Sequence, residues 1–217
     1  MNDFSRLLNT KIGAVLCFAS AFGLIYSPFT KFPYTFCVII LFIFLISFLQ
    51  DGSLRNLNFK KLGFKQIGII LACYIALELT MDFVFQPLAT RIFNEPADYS
   101  SFEFIKGDSK SYFKYLVFMW ISAAFGEELL FRAFAFSQLK KIIGERKVLI
   151  VVVSAILFSL PHLYQGCSGL FMTFLFGLAF GFMYLKFKNS WMNIIVHGLI
   201  DSVFLTLSYY GMLDFYI

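Results

Sequence analysis

Residues 118–141 read FMWISAAFGEELLFRAFAFSQLKK. The stretch is apolar nearly throughout, yet it carries Glu127, Glu128 and Arg132 at its centre and the Lys140-Lys141 pair at its end. A segment of about 20 predominantly apolar residues is long enough to cross the hydrocarbon core of a bilayer. The lysine pair marks where such a segment leaves the membrane on the cytoplasmic side. The three charges within it are then intramembrane charges, and each costs at least about 2.5–3.5 kcal/mol to insert.

The rest of the chain agrees with a membrane setting. Of its 217 residues, 59% are hydrophobic and only 14% charged, against about 25% charged in soluble domains. A soluble core of this size cannot hide that excess. The net charge of +5 does not indicate nucleic-acid binding, because the basic residues sit in short clusters between apolar runs. Cys17, Cys37, Cys73 and Cys167 lie in or beside apolar segments without a CxxC pair, so neither a disulfide framework nor a zinc cluster is expected.

Seven spans are expected, at 12–28, 33–50, 67–87, 112–139, 147–164, 169–186 and 190–210. The expected fold is all-α, a polytopic transmembrane helical bundle. Ala19-Ser20-Ala21 resembles a leader-peptide cleavage site, but a second apolar segment follows at once, and the first reads as a retained helix. Residues 51–66 alternate Leu and Phe with Lys and Arg, as an interfacial segment does. Residues 1–66 are thus read as a two-helix membrane region and 67–217 as the embedded core. Residues 88–111 are expected to form the longest loop. Basic excess alternates from one connection to the next, and the tail carries only Asp214. That alternation places the N-terminus inside and the C-terminus outside.

Eight ionisable residues fall inside the expected spans: Glu78, Asp82, Glu127, Glu128, Arg132, His162, His197 and Asp201. Both histidines of the chain are among them. At about 1.5 Å per residue from the nearest basic boundary, the seven other than Arg132 lie in a layer roughly 14–26 Å deep. Four different spans therefore deliver polar groups to one level, which predicts a single polar site within the membrane. Glu128 and Arg132, four apart, share a helix face in the favourable order and neutralise each other. Glu127 points about a quarter-turn away and is the better free carboxylate. Pro161 removes a backbone donor and opens the helix beside His162. His197 and Asp201, four apart, share a face. Gly177 and Gly181 form a GxxxG packing pattern, and Glu78 and Asp82 are expected to line the cavity, with help in neutralising Arg132 as the alternative.

Three motifs appear in order on separate spans: EExxxR (Glu127, Glu128, Arg132), FxxxH (Phe158, His162) and HxxxD (His197, Asp201). Together they resemble the CPBP intramembrane proteases, which include the type II CAAX prenyl endopeptidases and the Abi proteins linked to bacteriocin self-immunity. The resemblance covers roughly residues 112–210. It implies hydrolysis of a peptide bond in a membrane-embedded protein or peptide, in the lipid bilayer of a bacterial cell. It implies that Glu127 activates water, that His162 positions that water and that His197 stabilises the oxyanion, with Glu128 and Arg132 in support. Asp201 stands where the prenyl-processing members have Asn. An ionised Asp has no hydrogen to donate, so Asp201 orients His197, is protonated, or binds a metal. Glu127, His162, His197 and Asp201 could supply three zinc ligands with an open position, but HExxH is absent. The preferred mechanism therefore needs no cofactor, with zinc as its alternative. Two other functions compete: a non-catalytic immunity or sensor-regulating protein of the same family, and a proton-coupled transporter. The transporter would show two related halves, and no such repeat is present.

A reporter fused after Ile217 is expected to read as external. A cytoplasmic signal would refute the seven-span count.

Overall fold

The computed structural model describes residues 3–216 apart from the side chains of Asp214 and Tyr216, and Ile217 lies outside the described residues. The chain is all-helical, with no strand among the described residues. Its helices are α1 (Asp3–Leu8), α2 (Lys11–Gly23), α3 (Tyr34–Asp51), α4 (Phe64–Phe93), α5 (109–143), α6 (Lys147–Ser159), α7 (Gly166–Phe187) and α8 (Ser190–Tyr210).

Four helical runs are long and apolar enough to cross a membrane: Tyr34–Asp51, Phe64–Phe93, Lys147–Phe187 and Ser190–Tyr210. This is fewer than the seven expected, and the reasons are local. The first apolar helix, Lys11–Tyr26, is short. The α5 segment carries Glu127, Glu128 and Arg132. The run Lys147–Phe187 joins two expected spans through a 3₁₀ turn at Leu160–Gln165. That run folds back on itself. A Cβ on Gly177 would meet Ala155, and one on Gly181 would meet Val151. One register rises by four as the other falls by four, so α6 and α7 are antiparallel. Gly166 makes the reversal with φ +74°, a conformation that favours glycine.

The long loop is shorter than expected, because α4 runs through Pro87 to Phe93. A π-helical turn at Met81–Phe85 precedes the proline and absorbs the geometry it imposes. Asn94, in the left-handed region, then stops the helix.

α5 is the central helix. Residues 128–136 are buried without interruption, which marks a helix packed on every side. One core joins α2, α3, α5 and α6 through Phe18, Ile39, Ile43, Leu130, Phe134 and Val151. A second joins α4, α7 and α8 through Ile70, Phe180, Met192 and Val196. The N-terminal region is tied to α5 by polar groups as well. The buried Gln50 amide exchanges hydrogen bonds of 3.0 Å with Gln138, accepts from Lys141 Nζ and donates to the Leu8 carbonyl. The segment 52–63 is stitched to the start of α8, where Ser190 Oγ donates to the Leu57 carbonyl and Asn189 bonds both backbone groups of Lys60.

The outer surface suits lipid. On α4, Ile67, Leu71, Ile75, Leu79 and Phe83 are all exposed and lie in one row four residues apart. Leu41, Leu45 and Phe48 on α3 and Phe113, Val117 and Ile121 on α5 are likewise exposed. Apolar stripes of this extent on a water-soluble monomer would drive aggregation.

Gly177→Ala is expected to lower stability by about 1–3 kcal/mol, because its methyl would press on the Ala155 backbone. Gly68→Ala, which has open space around it, should be neutral or stabilising by about 0.4–1 kcal/mol. Thermal unfolding of the purified protein in detergent makes the comparison, and equal midpoints would contradict the close α6–α7 packing.

Candidate active site

Glu127, His162, His197 and Asp201 line one cavity of about 510 Å³. Four helical segments supply its carboxylate and imidazole groups. α5 brings Glu127, the 3₁₀ turn after α6 brings His162, α8 brings His197 and Asp201, and α4 brings Glu78, Asp82 and Gln86. On α4 these three lie four residues apart in one row.

α5 departs from regular α-helix where the motif sits. Trp120–Glu127 and Leu129–Phe134 are π-helical, a wider coil that often marks functional positions. The Glu128–Arg132 pairing survives the change of pitch. Glu128 Oε1 lies 3.1 Å from Arg132 Nη1, and both side chains are fully buried. The guanidinium stacks 4.2 Å from the Phe158 ring centroid and 5.3 Å from that of Phe180. Desolvated contacts of this type are worth about 2 kcal/mol. The Phe of FxxxH therefore supports the Arg of EExxxR.

Glu128 has three partners. Besides Arg132, its Oε1 accepts from His197 Nδ1 at 3.0 Å, and its Oε2 accepts from Asn193 Nδ2 at 2.9 Å. Glu127, by contrast, makes no hydrogen bond or ion pair with any described residue. Neighbours in sequence, the two carboxylates thus differ completely in occupation. One is consumed in structure, and the other faces the cavity. Glu78 and Asp82 also face the cavity and make no ion pair with Arg132 among the described residues.

The histidine tautomers follow from their partners. His162 Nδ1 lies 3.1 Å from the Phe158 carbonyl. A carbonyl only accepts, so Nδ1 carries the hydrogen and a neutral His162 keeps its Nε2 lone pair. Pro161 explains why this carbonyl is open to the ring, since in the tight 3₁₀ turn the residue three positions on from Phe158 has no N–H to give it. His197 Nδ1 likewise carries the hydrogen it donates to Glu128. Its Nε2 lies 3.6 Å from Asp201 Oδ2, close enough for electrostatic attraction but long for a hydrogen bond. The Phe180 ring stacks on His197 at 4.9 Å.

α5 and α8 run antiparallel along a polar ladder: Tyr112 Oη with Thr206 Oγ1, Trp120 Nε1 with Ser202 Oγ, and Glu128 with Asn193 and His197. Gly198 allows this approach, because a Cβ there would strike the Trp120 ring. The cavity is roofed by Tyr99, Ser101, Phe102 and Phe104 of the loop after α4. That loop is fastened at both ends. Asp98 N–H donates to the Gln165 carbonyl, Cys167 N–H to the Glu95 carboxylate, and Gly107 N–H to the Tyr209 carbonyl.

No three His, Cys, Asp or Glu side chains among the described residues are grouped as metal ligands would be. Both histidines use Nδ1 on a protein partner and keep Nε2 open, but Glu127, His162, His197 and Asp201 are not drawn together as a zinc site requires.

Two features were not anticipated from sequence. Asn193 stands four residues before His197, and that helical spacing was the available signal. The aromatic roof comes from a loop with no motif at all.

Arg132→Met should destabilise the protein by about 3–5 kcal/mol, because it leaves Glu128 buried without its cation. The double variant Glu128→Gln/Arg132→Met should recover part of that loss. A thermal-unfolding cycle in detergent measures both, and an undiminished loss in the double variant would contradict the pairing.

The motifs, in their order on α5, after α6 and on α8, agree with a comparison against known families. Residues 109–203 match the family model described as type II CAAX prenyl endopeptidase Rce1-like. No curated protein and no solved structure matches the chain. The matched residues, fewer than half of the chain, span all three motifs.

Proposed function

We propose that this protein is an intramembrane endopeptidase that hydrolyses a peptide bond of a membrane-embedded protein or peptide with a Glu-activated water. The observation that carries the reading is the unequal occupation of the two adjacent carboxylates. Glu128 is tied to Arg132, His197 and Asn193, while Glu127 faces the cavity that both histidines also line and has no hydrogen-bond or ion-pair partner among the described residues.

In the proposed reaction Glu127 takes a proton from water as the water oxygen attacks the scissile carbonyl carbon. The His162 Nε2 lone pair accepts the other water hydrogen and aims the oxygen. Charge grows on the carbonyl oxygen, and His197 Nε2–H stabilises it. That donor exists when the ring carries both its hydrogens, one of them given to Glu128. Asp201, 3.6 Å from Nε2, attracts the ring and steadies it. The C–N bond then breaks as Glu127 passes its proton to the leaving amine. No step requires a metal.

The family's name suggests CAAX processing, but the described residues lining the cavity include no Lys or Arg to meet a free C-terminal carboxylate. The reading therefore remains with a membrane-embedded protein or peptide. Its setting is the bilayer of a bacterial cell, in a seven-crossing arrangement with the N-terminus inside and the C-terminus outside. The antiparallel α6–α7 pair and the alternating basic connections support that arrangement.

Cleavage of a quenched-fluorescent transmembrane peptide in detergent micelles tests the reading. Glu127→Gln should lower kcat by about 10²–10⁴-fold, as expected for loss of a general base. His197→Ala should lower it by about 10²–10³-fold, as expected for loss of an oxyanion donor. Chelator treatment should leave the wild-type rate unchanged. Wild-type cleavage by Glu127→Gln would sink the mechanism, and an unaltered cellular phenotype for that variant would favour a binding role.

A further inference from the structure

We propose that Asn193 is a positioning residue for His197, acting through Glu128 and Phe180. It rests on the reading of His197 as the oxyanion donor. Asn193 is fully buried and belongs to none of the three motifs. Its amide has two hydrogens to give, and both are used. One goes to Glu128 Oε2 at 2.9 Å, the other to the Phe180 carbonyl at 2.9 Å.

Each recipient holds the His197 imidazole in a different direction. Glu128 accepts from Nδ1 at 3.0 Å and so fixes the ring in its own plane. Phe180 stacks on the ring face at 4.9 Å with 23° between planes and so fixes its tilt. A single amide therefore couples the in-plane anchor to the stacking partner. It also sits one helical turn before His197 on the same face of α8, with Asp201 one turn beyond. Among the described residues, the hydrogen bond on Glu128 Oε2 comes from Asn193, and it holds that oxygen against rotation. Without it the carboxylate is free to turn toward Arg132 alone, and Nδ1 loses its aligned acceptor.

The chain has only two histidines, so ¹⁵N-histidine labelling reads each ring separately by NMR in detergent. In Asn193→Ala the His197 Nδ1 resonance should shift while that of His162 stays in place. Per folded molecule, kcat on the quenched transmembrane peptide should fall about 10- to 100-fold, the effect of one lost hydrogen bond to a charged group, with KM within about 2-fold. A purely structural role would reduce the folded fraction and leave kcat per folded molecule and the His197 resonance unchanged; that result overturns the proposal, as does a shifted ring with wild-type kcat. Where Asn193→Ala does not fold, Asn193→Gln keeps the amide but displaces it by one methylene, and the same two readouts decide. If no chain cleaves the peptide, wild type included, the proposed function has failed, and the NMR comparison alone decides whether Asn193 places His197.

Discussion

The buried pairing of Glu128 with Arg132 is the constraint on which the rest of this structure depends. Two charges removed from water each carry a desolvation cost of several kcal/mol. That cost is offset only when geometry and additional hydrogen bonds saturate them. The fold meets this requirement for the carboxylate, whereas Arg132 Nε and Nη1 have no hydrogen-bond partner among the described residues and the guanidinium relies on its ion pair and ring contacts. Phe158 and Phe180 cover the guanidinium, Asn193 and His197 donate to the carboxylate, and the Gly177 carbonyl accepts from Arg132 Nη2 at 3.5 Å. Those partners come from the ends of α6, from α7 and from α8. The ion pair thus selects the neighbours of α5 and sets their rotation.

This arrangement separates two jobs that adjacent glutamates could otherwise confuse. A saturated carboxylate is held rigidly and orients a histidine. An unpartnered one keeps its lone pairs open to the cavity. The π-helical stretches on either side of Glu128 contribute to the separation. They widen the coil and place Glu127 on the cavity wall while Glu128 stays within the packed interior. His162 reaches the same cavity by another backbone irregularity, the 3₁₀ turn at Pro161. Irregular backbone at membrane depth is tolerated where it is buried in protein or lines a polar cavity, and here it does so.

Much of the molecule was legible in the chain, for definite reasons. Intramembrane charges are so costly that their mere presence within apolar runs marked the level of the site. Period-four spacing paired Glu128 with Arg132 and put His197 with Asp201. The same spacing placed Gly177 and Gly181 on one packing face. Element boundaries were less legible. α4 continues past Pro87 because a π turn relieves the proline, and no side-chain pattern announces such a turn. The number of crossings was read from apolar run length, a quantity blurred where a hairpin joins two arms or where a central helix carries its own charges.

The sequence by itself determined that the chain belongs in a membrane, which residues had to be sheltered from lipid, and which of two glutamates would be neutralised. These follow from solvation cost and local helical geometry, which act within one segment. Only the tertiary structure decided which groups from different segments meet. It assigned the second and third partners of Glu128, committed His162 Nδ1 to the Phe158 carbonyl, brought Asn193 into the network and laid the aromatic loop over the cavity. Such contacts join residues tens of positions apart. They depend on how helices rotate and bend against one another, and packing sets that rotation rather than any spacing along the chain.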